Sequence, residues 1–207
     1  MQIDLFDNAQ KTNKEVSIEA TSTIYGLELY FDFISPEEEK QLLKNIDDNL
    51  WLNDLSRRVQ HYGYKYDYRA RKIDNSFYLG DLPHWLKEIA LKLYRNKLID
   101  FLPDQAIINE YEPGQGIASH IDCEPCFGDT IISLSLGSSC VMNFTKNVNS
   151  IDKTAVLLEP RVLVIMKKES RYDWFHGIPP RKSDKFNDNI IKRQRRVSIT
   201  FRKVINQ

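Results

Sequence analysis

The chain is expected to be mainly β (α+β), closing as a jelly-roll barrel (double-stranded β-helix) behind N-terminal helices. Two observations carry this. Beyond residue 105 the apolar residues fall in short runs at 106–111, 131–136, 140–144, 155–158, 162–166, 174–178 and 196–204, several of them separated by Pro113-Gly114, Gly128-Asp129 and Gly137-Ser138. Short strands with no long helix between them suit a closed antiparallel double sheet. Before residue 105 the apolar spacing is instead largely helical.

In chain order, residues 1–24 are expected to be flexible, since 7–23 is polar and lacks a sustained period. Leu27, Leu29 and Phe31 alternate with polar residues as in a half-buried strand. Ser35-Pro36-Glu37-Glu38 then supplies an N-cap, a proline at the first helical position and a capping-box glutamate. A helix to about residue 50 should follow, with Leu42, Leu43, Ile46 and Leu50 inward. The stretch 51–80 is aromatic and basic, and its Tyr62, Tyr64, Tyr66 and Tyr68 alternate at strand spacing, as the packed face of a hairpin or a ligand platform would. Residues 83–95 read as a second amphipathic helix with Leu86, Ile89, Ala90 and Leu93 inward and a structural His84. The polar, basic stretch 179–194 reads as a surface loop at the barrel mouth.

At 207 residues, the chain suits one domain (25–207) that buries roughly 70% of its unfolded surface. Lys plus Arg equals Asp plus Glu at 29 each, so no global field announces a polyanionic partner. The charges are unevenly placed: nine Lys or Arg stand against two Asp between Arg181 and Lys203, and Arg57, Arg58, Lys65, Arg69, Arg71 and Lys72 cluster earlier. Such clusters are solvated faces or phosphate contacts. Three cysteines without a signal sequence argue for a reducing, cytoplasmic setting (the nucleoid, in a bacterium) rather than a disulfide framework. Cys123-Glu-Pro-Cys126 has zinc-like spacing, but with Cys140 the sole other thiol no structural zinc site is expected. No apolar run approaches ~18 residues, so no membrane span is expected, and the chain is read as a monomer.

The chemistry centres on His120-Ile-Asp122. Residues two apart on extended backbone point the same way, so both can grip one metal. Among four histidines, His176 follows an apolar strand-like run and can return to the same barrel mouth. Two imidazoles and one carboxylate on one face of an octahedral ion leave positions open, which suits Fe(II) that must bind a cosubstrate and oxygen. In Arg196-Val-Ser-Ile-Thr-Phe-Arg202, Val197, Ile199 and Phe201 share one face and Arg196, Ser198, Thr200 and Arg202 the other. Two inward guanidinium forks, about 20 Å apart at the Cα at ~3.3 Å per residue, suit a short dicarboxylate. Asn109 and Tyr111 can donate to it.

These residues resemble the AlkB-like Fe(II)/2-oxoglutarate dioxygenases, which demethylate alkylated nucleic-acid bases. The resemblance rests on Asn109-x-Tyr111, His120-x-Asp122-x-Glu124, Ser133-Leu-Ser-Leu-Gly137, His176-Gly177 and the Arg196–Arg202 strand, and runs from about Gly26 to Val204. One departure is Ser198, where the family usually has asparagine. The resemblance implies Fe(II) on His120, Asp122 and His176. It places 2-oxoglutarate against Arg196, Tyr111 and Ser198, with Arg202 and Asn109 at the metal-side end, and O2 as oxidant. It implies a jelly-roll core at 105–204 and a nucleotide-recognition lid at 51–80, where Arg57 and Arg58 hold flanking phosphates and a tyrosine stacks on an extruded base, with Tyr62 and Tyr64 the candidates for substrate contact. Glu124 either accepts from the base's exocyclic amine or is a solvated loop acid. The implied reaction is oxidative demethylation of 1-methyladenine- and 3-methylcytosine-type lesions in single- or double-stranded DNA or RNA, releasing formaldehyde. Rival readings are a hydroxylase of a protein or small molecule and a catalytically silent binder. Gln2-Ile-Asp-Leu-Phe6 also resembles the peptide by which bacterial repair proteins dock on the sliding clamp, leaning towards DNA. The phrases 109–119, 133–137 and Glu169-Ser-Arg-Tyr172 resemble branches that include a tRNA-modifying enzyme.

Overall fold

The computed structural model describes residues 11–53, 56–68, 70–146 and 153–205; the clamp-like peptide and Arg69 lie outside them. In chain order the elements are α1 (Asn13–Ser22), β1 (Leu27–Tyr30), α2 (Pro36–Asp47), β2 (Val59–Tyr62), α3 (His84–Arg95), β3 (Gln105–Tyr111), β4 (Ile117–His120), β5 (Ile131–Gly137), β6 (Cys140–Thr145), β7 (Lys153–Leu158), β8 (Leu163–Met166), α4 (Lys168–Tyr172), β9 (Phe175–Ile178), β10 (Ser183–Phe186), β11 (Asn189–Lys192) and β12 (Arg196–Arg202). A major sheet runs β1-β8-β5-β12-β3-β2, and a minor sheet runs β4-β9-β6-β7. Every pairing is antiparallel.

The alternation in β12 sorts its side chains as the sequence predicts. Val197, Ile199 and Phe201 join Leu42 and Ile46 of α2 and Leu86, Ile89 and Leu93 of α3, so these helices cover the outer face of the major sheet. Its inner face meets the minor sheet across a second core that holds Tyr111, Ile131, Met142, Phe144, Val164 and Ile178. Arg196, Ser198, Thr200 and Arg202 point into this space, around a cavity of about 50 Å³ between the sheets.

Several expectations are corrected. Asn13–Ser22 is a helix, started by a reciprocal capping box in which Thr12 Oγ1 accepts from Glu15 N–H at 3.2 Å and the Glu15 carboxylate accepts from Thr12 N–H at 2.8 Å. Its buried side is carried by Ser17, whose hydroxyl accepts from Leu157 N–H at 3.2 Å, and by Val16; so narrow and polar a stripe gives no hydrophobic period. Helix α2 stops at Asp47, which leaves Leu50 83% exposed rather than inward. The stretch read as a loop at 179–194 contains the β10–β11 hairpin, which packs Phe186 against Val141 and Leu157. Cys123 and Cys126 form a disulfide, against the expectation of free thiols. The reason is local: a turn closed by Cys126 N–H donating to the Cys123 carbonyl at 3.2 Å puts their Cα atoms 5.3 Å apart, within bridging range. Among the described residues, no helix is long and apolar enough to cross a membrane.

Candidate metal centre

Strands β3, β4, β5, β9 and β12 and one loop carry the polar residues of the site. In the minor sheet His120 of β4 pairs directly with His176 of β9, which sets the two ring centroids 4.5 Å apart. Asp122 sits in the loop just beyond β4, and its Oδ2 lies 3.4 Å from His176 Nε2. One donor atom from each of His120, Asp122 and His176 lies within 4.8 Å of the others, the only such cluster among the described residues. The donors are tuned for a divalent ion. His120 Nδ1 lies 2.9 Å from the Ala118 carbonyl, which only accepts, so Nδ1 carries the proton and Nε2 keeps its lone pair. Burial, then repulsion from His120, pushes His176 down to about 3 despite the pull of Asp122, so its imidazole is neutral at physiological pH. Burial would raise Asp122, but Arg202 first, with His176, His120 and Arg171, holds it well below the usual carboxylate range. A neutral His176 imidazole and an ionised Asp122 carboxylate are forms that metal ligation requires.

Arg202 takes only one oxygen of that carboxylate. Its Nε donates to Asp122 Oδ1 at 2.8 Å and its other nitrogen lies 2.6 Å from the same atom, while Oδ2 faces His176. A further donation to Gln105 Oε1 at 3.3 Å and the face of the Phe127 ring 4.7 Å away fix the guanidinium. Arg202 therefore supports the ligand Asp122, rather than reaching across towards Arg196.

Arg196 is the opposite case. One nitrogen donates to Ser135 Oγ at 2.7 Å, but Nε and the second terminal nitrogen are buried with no partner among the described residues. A desolvated guanidinium with two idle donors is costly and forms a socket for a carboxylate. Tyr111, with its ring 5.4 Å from Arg196 and its hydroxyl beside Ser198, closes that end of the cavity. Asn109 shares the cavity, where its Oδ1 accepts from Arg57 Nε at 2.8 Å. The chain thus fits both an iron ion and a small dicarboxylate.

The residues expected to form a lid divide differently from that expectation. Arg57 reaches the site, but Arg58 turns to the far side, where it pairs with Glu110 at 2.7 Å and stacks on Trp51. Tyr62 packs edge-on against Trp85 of α3, and Tyr64 packs on Tyr78 in a separate surface groove, so neither faces the triad. The cause is Gly63 at φ +76°, which breaks the strand after Tyr62; a Cβ there would strike the Asp104 carbonyl at 1.8 Å. Beyond the break, Tyr66 packs on Phe127 and feels Asp122 and Arg202, and Tyr68 feels Arg202, Arg57 and Tyr111. Tyr66 and Tyr68 are the tyrosines the sequence left unassigned beside the site, and the Tyr-Gly-Tyr step is the signal for the break. Glu124 is exposed at the loop tip, close enough to Arg171 for their charges to interact.

Arg171, also missed, is buried in α4 and donates to the carbonyls of Asp122, Cys123, Phe127 and Gly128 at 3.0–3.4 Å, holding the loop that presents Asp122. Part of the charge clusters is spent on ion pairs within the fold, while Lys65, Arg71, Lys72, Lys182, Lys185 and Lys192 stay exposed. Arg193 and Arg181 grip buried Asp184, and Arg195 grips Glu110 and Asp47.

Comparison with known proteins agrees with this geometry. The 2OG-Fe(II) oxygenase superfamily matches residues 39–202. An uncharacterized protein, L905, of Acanthamoeba polyphaga mimivirus is 38% identical over 94% of this chain and 92% of its own length. The mouse tRNA (carboxymethyluridine(34)-5-O)-methyltransferase ALKBH8 is 41% identical over 86% of this chain, which spans 30% of that protein. The solved structure of OsALKBH1 superposes with a TM-score of 0.67 over 86% of this chain and 96% of that one, at 17% identity, a likeness of fold. With the fold, the donor set and these relatives in agreement, the chain belongs to the 2OG-Fe(II) oxygenase superfamily as an AlkB-like dioxygenase, an enzyme of Fe(II), 2-oxoglutarate and O2.

Proposed function

We propose that this dioxygenase oxidatively removes N-methyl groups from damaged bases of 1-methyladenine and 3-methylcytosine type in nucleic acid. The observation that carries the reading is the lid. Tyr66 and Tyr68 stand edge to face, 5.0 Å apart, beside the metal-binding cavity, and offer aromatic surface where an extruded base must enter. Cationic methylated bases gain further from aromatic faces and nearby carboxylates. Glu124 is the exposed acid available for the exocyclic amine.

In this reading His120, Asp122 and His176 hold Fe(II), and Arg196 binds the far carboxylate of 2-oxoglutarate through its two idle donors. Tyr111 and Ser198 orient that end of the cosubstrate, and Asn109 contacts the end nearer the metal. Arg202 and Arg171 keep Asp122 and its loop in place. The metal and cosubstrate supply the oxidation: O2 and 2-oxoglutarate become succinate, carbon dioxide and a hydroxylated N-methyl carbon. The N-hydroxymethyl product then releases formaldehyde and the unmodified base.

A second reading, oxidation of a carbon substituent on a tRNA base, is favoured by the 41% identity to the mouse protein, whose name places it on a tRNA uridine. The test is mass spectrometry of methylated single-stranded DNA and RNA oligomers, and of tRNA, incubated with Fe(II), 2-oxoglutarate and native or His120→Ala protein. Loss of methyl with the native protein alone supports demethylation. A mass gain of one oxygen on tRNA, with every oligomer still methylated, replaces it with the second reading.

A further inference from the structure

The loop that presents Asp122 continues as Cys123-Glu124-Pro125-Cys126, and both sulfurs of the pair face one atom of the lid. Cys123 Sγ lies 3.2 Å and Cys126 Sγ 3.4 Å from the Arg71 carbonyl oxygen. A disulfide sulfur carries no proton, so in the bridged form neither can donate to that oxygen. Once reduced, the two sulfurs move apart from bonding to van der Waals distance, and each thiol can then turn a proton towards that oxygen. The turn itself does not need the bridge. It is closed by Cys126 and Phe127 N–H groups, which donate to the Cys123 carbonyl at 3.2 Å, and is clamped from behind by Arg171. Reduction therefore leaves the loop in place and changes what it offers the lid.

Arg71 sits at φ +49°, in a turn closed by Asp67 N–H to the Lys72 carbonyl at 3.2 Å, and its guanidinium reaches the Ile121 carbonyl only at 3.4 Å. Tyr66, a few residues earlier, packs on Phe127 of the same loop. The strength of the sulfur-to-carbonyl contact thus bears on how firmly Tyr66 and the turn at Arg71 sit over the metal-binding loop. Glu124 and Pro125 between the cysteines are exposed, so the pair lies just beneath the surface.

We propose that Cys123 and Cys126 are a reversible dithiol–disulfide site that controls lid attachment: as thiols they tie the Arg71 turn down, and as a disulfide they release it. A peroxide is the oxidant. The two thiols give up two electrons and two protons, the S–S bond forms, the O–O bond breaks, and two waters (from hydrogen peroxide) leave. A dithiol reductant reverses the change by closing to its own disulfide. Cys140, buried in β6, stays a thiol throughout.

The experiment compares the full chain treated with hydrogen peroxide or with dithiothreitol, with no iron or substrate added, so it stands apart from the proposed demethylation. Intact mass reports the bridge, and hydrogen–deuterium exchange reports the lid peptide 64–74. The expected result is a loss of two hydrogens on oxidation, with lid exchange on the order of fivefold faster in the oxidised form, as for one lost hydrogen bond. Cys123→Ser/Cys126→Ser, whose hydroxyls still donate, should exchange slowly under both treatments. Failure of the bridge to form, equal lid exchange in the two verified redox states, or a redox response that persists in the double serine variant would each overturn the proposal.

Discussion

Replacing Arg202 with methionine removes the counter-charge of a carboxylate that is only 5% exposed while roughly keeping the side chain's length. Both Arg202 contacts, at 2.8 and 2.6 Å, fall on Asp122 Oδ1, so the metal-free variant strands a buried negative charge. Breaking such a pair from one side costs about 3–5 kcal/mol. The size depends on pH in a defined direction. With Arg202 gone, burial raises the Asp122 pKa above its unfolded value, so the folded variant binds more protons than the unfolded chain and gains stability as pH falls. Each unit is about 1.4 kcal/mol, so the deficit at pH 7 should shrink by up to about 2.7 kcal/mol at pH 5. The assay is urea unfolding of wild type, Arg202→Met and Asp122→Asn/Arg202→Met in chelator at both values. The double variant should recover much of the loss and lose the pH dependence, and saturating Mn(II) should narrow the gap for the single variant. A deficit below about 1 kcal/mol that is flat from pH 5 to 7 refutes Arg202 as the partner of an ionised, buried Asp122.

His176, pushed down to about 3 from an ordinary 6.5, binds its proton first in the unfolded chain. Metal-free stability should therefore decline as pH falls from about 6.5 towards 3, and His176→Asn should flatten part of that decline in chemical unfolding at stepped pH. Arg196→Met should weaken 2-oxoglutarate binding about 10- to 100-fold by calorimetry with Mn(II), as expected for lost charge-assisted bonds. It should not lower ligand-free stability, because two Arg196 donors are idle without ligand; unchanged affinity would remove Arg196 from the cosubstrate site. Asp184→Ala leaves Arg193, bound at 2.6 and 2.8 Å, without its buried partner and frees Val141 N–H. It should cost about 3–5 kcal/mol in thermal unfolding while the triad still binds Mn(II), and a loss under about 1 kcal/mol would contradict that network.

Much of the site was legible because it lies on strands. A period of two places alternate residues on one face wherever the backbone is extended, so Arg196 with Ser198 and Arg202 could be grouped before any pairing was known, and His120 with Asp122 as well, although β4 ends at His120 and Asp122 stands in the loop beyond it. The same rule misled at the tyrosines. It holds only while the strand continues, and Gly63 ends it between Tyr62 and Tyr64. Arg58 read as a phosphate contact and Arg195 as part of a charge cluster because a sequence count cannot tell that both meet Glu110. Helix α1 was missed because its inward side is one serine and one valine on a sheet whose position is set by residues more than a hundred positions later.

What the sequence by itself determined is the set of groups with only one economical use: a histidine–carboxylate pair with a distant third histidine, two inward arginines on a strand, and amphipathic helices to cover a sheet. Their chemistry is local, carried by residue type and spacing. The tertiary structure decided which partner each charge takes. It turned Arg202 onto Asp122, left Arg196 with two open donors, set Tyr66 and Tyr68 rather than Tyr62 and Tyr64 beside the metal ligands, and brought Cys123 and Cys126 under the lid at Arg71. The physical reason is that ion pairs and hydrogen bonds act over a few ångströms between groups far apart in sequence, and only the closed barrel supplies those distances.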